Sequence, residues 1–407
     1  MMAKDKGNKI TNVPNLRFPE FEGEWETCAF SDIGTFFKGI GISKEQLTEE
    51  GTPGILYGEL YTKYKNEVIK EVKSKTSINT NGLVFSKSND VIIPSSGETA
   101  IDISTACCVT LDNILLGGDL NIIRPKKHNG SFISYQLNGK RKYDIAKIAQ
   151  GSSIIHLYND SLKKVKINVP NDIREEEKIV SLLSKIDDRI SSQSQIIEEL
   201  KSLKKSMSNK LIYNNKSLDK KIKLSDIGEV KNGYAFTSTS YEENGKYKVI
   251  TIANVTGERD INALKCSNIV NLPKDIQHHQ VLKKNDILIS LTGNVGRVSL
   301  CNVDNALLNQ RVGLFVPNNL MCVEYIFQAI SNQKFEKTMI ACGKGAAQMN
   351  ISKSDIENHE IPYSINEKPL LKISSLLKKL DEKLETEKQL LKKYTEQKKY
   401  LLANMFI

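Results

Sequence analysis

The strongest constraint on how this 407-residue chain can fold is that it is written twice. "SDIG" stands at 31–34 and again at 225–228, 194 residues later. "NDVIIPSSGETAIDIS" from Asn89 is answered by "NDILISLTGNVGRVSL" from Asn285, at an offset of 196. "LLGGDLNIIRP" (115–125) is answered by "LLNQRVGLFVP" (307–317), at 192. "GSSIIHL" (151–157) pairs with "GAAQMNI" (345–351), and "LLSKIDDRI" (182–190) with "LLKKLDEKL" (376–384), both at 194. Identity within each pair is low. The signal lies in the common order and near-constant spacing of five landmarks, which is the mark of an internal duplication.

Each copy has the same layout. A mixed region comes first, with short apolar runs such as "NDVIIPS", "LNIIRP", "VKINVP", "NDILISLTG" and "VGLFVP" punctuated by Gly, Asn and Pro. Such runs predict strands. A long helix follows. Its apolar positions are Ile179, Leu182, Leu183, Ile186, Ile190, Ile197, Leu200, Leu203, Met207 and Leu211 in the first copy. In the second they are Ile373, Leu376, Leu377, Leu380, Leu384, Leu391, Tyr394, Leu401 and Met405. Steps of three, four and seven make a narrow coiled-coil stripe. Pro170, and Pro362 with Pro369, punctuate the helix starts. The expected architecture is α+β: two mixed α/β domains in a tandem, pseudo-twofold repeat, joined by two long helices that form an antiparallel coiled coil. The divisions are 1–171 and 215–365 for the mixed domains, and 172–214 and 366–407 for the helices. Gln193 and Glu387 interrupt the stripes at matching places, 194 apart, where polar residues can set register. A helix of about 38 residues is roughly 57 Å long, so antiparallel pairing would put one domain at each end. That geometry suits two DNA half-sites about a turn apart, different in sequence because the copies differ.

Composition narrows the class. Lys+Arg outnumber Asp+Glu by 58 to 48, with pI near 9.0, which favours a polyanionic partner. Seven cysteines without a CxxC fit a reducing, cytoplasmic setting. The start of the chain lacks the apolar core of a secretory signal, and no apolar run reaches the ~20 residues of a membrane span. Catalytic signatures fail one by one. Phe37-x-Gly39-x-Gly41 looks like an S-adenosylmethionine loop, but the chain has no Pro-Pro motif and the second copy reads "VKNGYAF". There is no P-loop, and none of His128, His156, His278, His279 and His359 stands at zinc-hydrolase spacing. "DIREEEK" (172–178) reads as acidic residues at a helix N-terminus. The glycine loop "SLTGNVGRVSL" (290–300) could cradle phosphate, yet its counterpart keeps only Gly97. A variable loop facing something larger than a nucleotide fits better.

Candidate DNA readers are long polar side chains on glycine-bearing loops. In the first copy these are Lys38, Ser43 and Lys44; Tyr57, Tyr61 and Lys63; Ser96, Gly97, Glu98 and Thr99; and Lys140 with Arg141. In the second they are Lys231, Asn232 and Tyr234; Thr292, Gly293, Asn294 and Arg297; Gln310 and Arg311; and Gln348 with Asn350. Arg can fork onto guanine and Asn or Gln onto adenine, whereas Lys more often holds phosphate.

"GTPGILYGELYTKY", "PSSGETAIDIS", "GGDLNIIRP", "TGNVGRV", "LNQRVG", "AAQMNIS", "LKKSMSNKLI" and "KKYLLANMFI" together resemble the specificity (S) subunit of Type I restriction–modification systems, over nearly the whole chain. The resemblance implies two target recognition domains on helical spacers and a non-catalytic chain without a cofactor of its own. It implies assembly on double-stranded DNA with two modification subunits that carry S-adenosylmethionine. Two restriction subunits that use ATP and Mg would also join. The rival readings are a coiled-coil scaffold without a nucleic-acid role, and a stand-alone DNA methyltransferase or endonuclease with an unfamiliar active site.

Overall fold

The computed structural model describes residues 12–64, 66–319, 323–343 and 349–407, apart from the side chains of Ser238 and Lys265. The chain divides into two compact units: residues up to Ser194 together with Leu390–Ile407, and Gln195–Gln389. The central helix, Ile173–Ser208, and the C-terminal helix, Glu367–Asn404, each contribute to both. The expected fold class is found: two mixed α/β units and two long helices.

The first unit is organised by a five-stranded sheet in the order Gly34–Lys38, Leu120–Pro125, Asp90–Pro94, Cys107–Val109, Val68–Ile69. In "DVIIP", Val91 and Ile93 enter one apolar cluster and Ile92 another. Burial on both faces is why that run is continuously apolar rather than alternating. The second unit repeats the plan with Gly228–Asn232, Val312–Pro317, Ile287–Ser290 and Val298–Leu300. There Ile287 and Ile289 face one cluster and Leu288 the other. Register repeats too: Gly34 pairs with Pro125 and Gly228 with Pro317. Asn89 and Asn285 turn the chain into the equivalent strands at φ 82° and 70°, a region asparagine tolerates better than most residues.

Within each unit the two helices run antiparallel. In the first, Asp187 meets Lys398 at 2.6 Å, and Arg189 stacks on the Tyr394 ring with its guanidinium carbon 5.9 Å from the centroid. In the second, Asp381 meets Lys204 at 2.5 Å. These are the same pair at the repeat offset, since 187 and 381, and 204 and 398, are each 194 apart. The stripes do not stay a separate seam. Ile179, Leu183 and Ile186 join Leu401, Met405 and Phe406 in the core of the first unit, against Trp25 and Phe132. Leu370, Ile373 and Leu377 join Ile212 in the core of the second. Two stripe positions are misassigned by the spacing: Leu203 is 47% exposed and Leu376 40%. Neighbours on a helix point about 100° apart, so seating Leu377 and Lys204 inward turns Leu376 and Leu203 out. Gln193 and Glu387 are both buried. Among the described residues no helix is long and apolar enough to cross a membrane.

Candidate nucleic-acid interface

The second unit gathers the four loops singled out in its sequence around one open cleft of about 590 Å³. Asn232 and Gly233 come from the end of the edge strand, Thr292 from the glycine loop, Gln310 and Arg311 from the turn before Val312–Pro317, and Asn350 from the segment before the helix Lys353–Glu357. Three main-chain hydrogen bonds hold these loops together: Tyr234 N–H to Leu308 O (2.8 Å), Leu291 N–H to Arg311 O (3.0 Å) and Ile351 N–H to Leu291 O (2.9 Å). A Cβ on Gly233 would run into the Asn309 carbonyl, so glycine is required for that close crossing. Asn232, Gln310, Arg311 and Asn350 are exposed, and Thr292 pairs with Asn350 through a β-bridge. Fixed backbone under exposed, hydrogen-bonding side chains is an arrangement that can read base edges.

The first unit builds the same frame. Ile40 N–H donates to Leu116 O (3.2 Å), Ser95 N–H to Asp119 O (2.7 Å) and Leu157 N–H to Ser95 O (2.9 Å). A Cβ on Gly39 would collide with the Gly117 carbonyl. Ser96 and Gly97 pair with His156 and Ile155. Lys38 lies over the Tyr158 ring at 5.9 Å, and Tyr158 stacks beside His156. Asp119 and His156 therefore stand where Arg311 and Asn350 stand in the second unit. Neither was among the sequence candidates, although the repeat offsets of 192 and 194 point to both. His279, whose ring nitrogen lies 3.1 Å from the Asn232 carbonyl, is a further neighbour of the second cleft.

Other candidates are placed elsewhere or tied down. Arg297 turns to the helix Gln333–Cys342, its Nε 3.4 Å from Glu336. Gly296 is set by packing, because a Cβ there would strike Met339. Gly293 sits at φ 70° in more open space, and Asn294 is exposed beside it. Lys231 pairs with Glu229 at 2.5 Å. The Tyr234 hydroxyl donates to Asp275 at 2.8 Å, which raises its pKa. Lys63 is held by Glu59 (3.0 Å) and Ser74 (2.6 Å). Thr99 caps the short helix Ala100–Ile103, next to the exposed Glu98. Ser43 and Lys44 open a 3₁₀ turn. Tyr57 packs on an apolar cluster and Tyr61 lies close to Gly97, its pKa raised first by burial. Lys140 and Arg141 follow Gly139, which packs on Leu402, and Arg141 reaches Asp144 at 3.3 Å. Gln348 lies outside the described residues.

The acidic start of the central helix has a specific task. Glu175 is buried, takes two 2.8 Å bonds from Arg17 and accepts from Trp25 Nε1 at 3.2 Å. Glu176, also buried, is 2.7 Å from both His128 Nδ1 and the Asn129 N–H. These acids bind the N-terminal segment and first domain to the helix. Among the described residues no group of three His, Cys, Asp or Glu is placed to hold a metal. Burial pushes the Cys108 and Cys301 thiols up to about 11.

The family model and the curated relatives point to one family. The family model for the type I restriction modification DNA specificity domain matches residues 22–202 and again 218–395. The type I restriction enzyme MjaVIII specificity subunit of Methanocaldococcus jannaschii is 24% identical over 382 residues, covering 88% of this chain and 85% of the relative. A putative type I specificity subunit of Haemophilus influenzae, S.HindORF215P, is 34% identical over 124 residues, 30% of this chain and 28% of the relative. The crystal structure of the S subunit of a type I restriction–modification system from M. genitalium has the same fold, with a TM-score of 0.63 at 18% identity, covering 97% of this chain and 99% of that one. A chain from a study of type I complex assembly and conformational transition matches at a TM-score of 0.55 and 12% identity, over 93% and 96%. With two copies of the domain spanning most of its length, this chain belongs to the family of type I restriction–modification specificity subunits.

Proposed function

We propose that the chain reads a bipartite, asymmetric DNA target, one half-site per recognition domain (1–171 and 215–365), while the two helices set the gap and carry the partner subunits. The observation that carries this reading is the pair of matching loop frames bearing different exposed side chains. A scaffold without a nucleic-acid role has no need for either. The basic excess of +10 supports a phosphate partner. In this reading the chain itself is not catalytic and works in the cytoplasm. Two modification subunits bring S-adenosylmethionine and methylate DNA, and two restriction subunits use ATP and Mg.

Single-molecule methylation mapping in cells with and without the gene tests this directly. A gapped, non-palindromic motif that vanishes with the gene is expected, and an unchanged methylome would overturn the reading. Exchanging residues 1–165 for those of a relative should alter one half-site only. One added heptad in both helices, ~10.5 Å, should widen the gap by about three base pairs at ~3.4 Å each.

A further inference from the structure

Two surface positions in each unit are matched by main-chain geometry but opposed in chemistry. Asp119 and Arg311 each accept, through their carbonyl, the N–H of the residue that opens the neighbouring loop, Ser95 at 2.7 Å and Leu291 at 3.0 Å. That loop in turn accepts, at 2.9 Å in both units, the N–H of the residue after His156, Leu157, and of the residue after Asn350, Ile351. Asp119, Arg311 and Asn350 are exposed and His156 is half-buried. Arg311 makes no ion pair among the described residues. Asp119 sits at φ 59° with Oδ1 3.4 Å from the Ser95 hydroxyl, and among the described residues its second carboxylate oxygen has no hydrogen-bond donor.

We propose that these side chains decide which bases each unit accepts: Asp119 with His156 for one half-site, Arg311 with Asn350 for the other. The inference rests on the DNA reading above and narrows it to four residues. The two frames are alike, so selectivity must come from what projects from them. Arg311 supplies two parallel donors, the match for guanine O6 and N7, and Asn350 a donor and an acceptor, the match for adenine. Asp119 is acceptor-only, so it favours the exocyclic amino group of cytosine and repels the guanine edge that Arg311 seeks. The second half-site should therefore carry guanine and adenine where this face meets the groove, and the first an amino-bearing base in the position matching that guanine. Arg297 is left out of the reading set because Glu336 holds it.

The test uses the full chain co-expressed with its modification subunit, with methylation mapped by single-molecule sequencing. Arg311→Ala should relax one position of the second half-site, cutting discrimination there about tenfold or more, and leave the first half-site intact. Asp119→Asn should relax the first alone, and Asp119→Arg should switch its preference toward guanine. The untouched half-site in each variant reports that the chain is folded and assembled. Retention of the full wild-type motif by Arg311→Ala and Asp119→Asn overturns the proposal, as does simultaneous relaxation of both half-sites. If the wild-type chain specifies no bipartite motif at all, the DNA reading itself fails instead.

Discussion

In the first unit one cation, Lys398, serves two buried carboxylates, Asp187 at 2.6 Å and Glu67. In the second, two cations serve the matching acid: Lys204 meets Asp381 at 2.5 Å and Arg259 meets it at 3.3 Å, while Arg259 also reaches Glu324 at 2.6 Å. A side chain from the helix behind the main sheet completes each site, the Tyr135 hydroxyl donating to Asp187 and Gln328 Nε2 donating to Asp381, both at 2.7 Å. The Asp–Lys pair is thus common to both copies, and its surroundings were rebuilt around it. The charge balance differs. Burial pushes the Glu67 carboxyl up, with Lys398 opposing and Asp187 adding to the rise. Burial also works against the Lys398 ammonium, but Glu67 and Asp187 together hold its pKa above the ordinary value. The first site depends on a single cation; the second has a spare.

That difference can be broken most sharply at the two lysines. Lys398→Met would leave Asp187 and Glu67 buried beside each other without a cation, at a cost of about 3–5 kcal/mol. Lys204→Met would leave Arg259 on Asp381 and cost about 1–2 kcal/mol. Urea unfolding of the two variants measures the gap, and equal losses would show that the spare cation is immaterial. The helix starts come next. Glu175→Ala removes the carboxylate that Arg17 and Trp25 share, leaving Arg17 only the Glu22 and Gly23 carbonyls, and should cost about 3 kcal/mol, with faster tryptic cleavage after Arg17. Its counterpart at the repeat offset is Pro369, in the first turn of the C-terminal helix, where Pro369→Ala should stay within about 0.5 kcal/mol. Gly39→Ala and Gly233→Ala probe what the units share: each drives a Cβ into a carbonyl, and thermal melts should show similar losses of about 1–3 kcal/mol. A large loss in only one would break the equivalence of the frames.

The smallest expected effect is in pH. His359 is lowered below its usual 6.5, first by burial and then by Lys334. Its neutral ring is favoured in the folded state, so that contribution is complete above pH 6.5 and is lost as pH falls through the lowered folded value. The first copy has Val165 at that position. His359→Val should therefore remove part of the drop in melting temperature between about pH 7 and 5, and an unchanged drop would place the acid sensitivity elsewhere.

Much of this plan was legible from residue spacing. Strands such as Asp90–Pro94 and Val312–Pro317 follow from short apolar runs, and the two helices from a stripe without internal breaks. Each of the four loops of the second cleft carries glycine or a polar cluster beside a strand, which makes it legible from the sequence. Reading loops singly has limits, however. It put Arg297 beside Asn294 as a reaching side chain, whereas the turn at Gly296, packed on Met339, aims it at Glu336. It passed over Asp119, although Gly117 and Gly118 precede it, because an acid is not an obvious reader of a polyanion, and over His156 because no basic or glycine-rich cluster adjoins it; the repeat offsets point to both, and the structural match to Arg311 and Asn350 draws them in.

By itself the sequence determined that there are two copies of one plan, where strands give way to a long helix in each, and which helix faces are apolar. Those properties are local or periodic, and duplication states them twice. The tertiary structure alone decided which charges neutralise one another and which side chains share a face. Lys398 and Glu67 are 331 residues apart, yet one is the other's counterion. Such pairings depend on burial and on approach within a few ångströms, and Coulombic and desolvation energies act strongly only at that range. Spacing along the chain carries no measure of either.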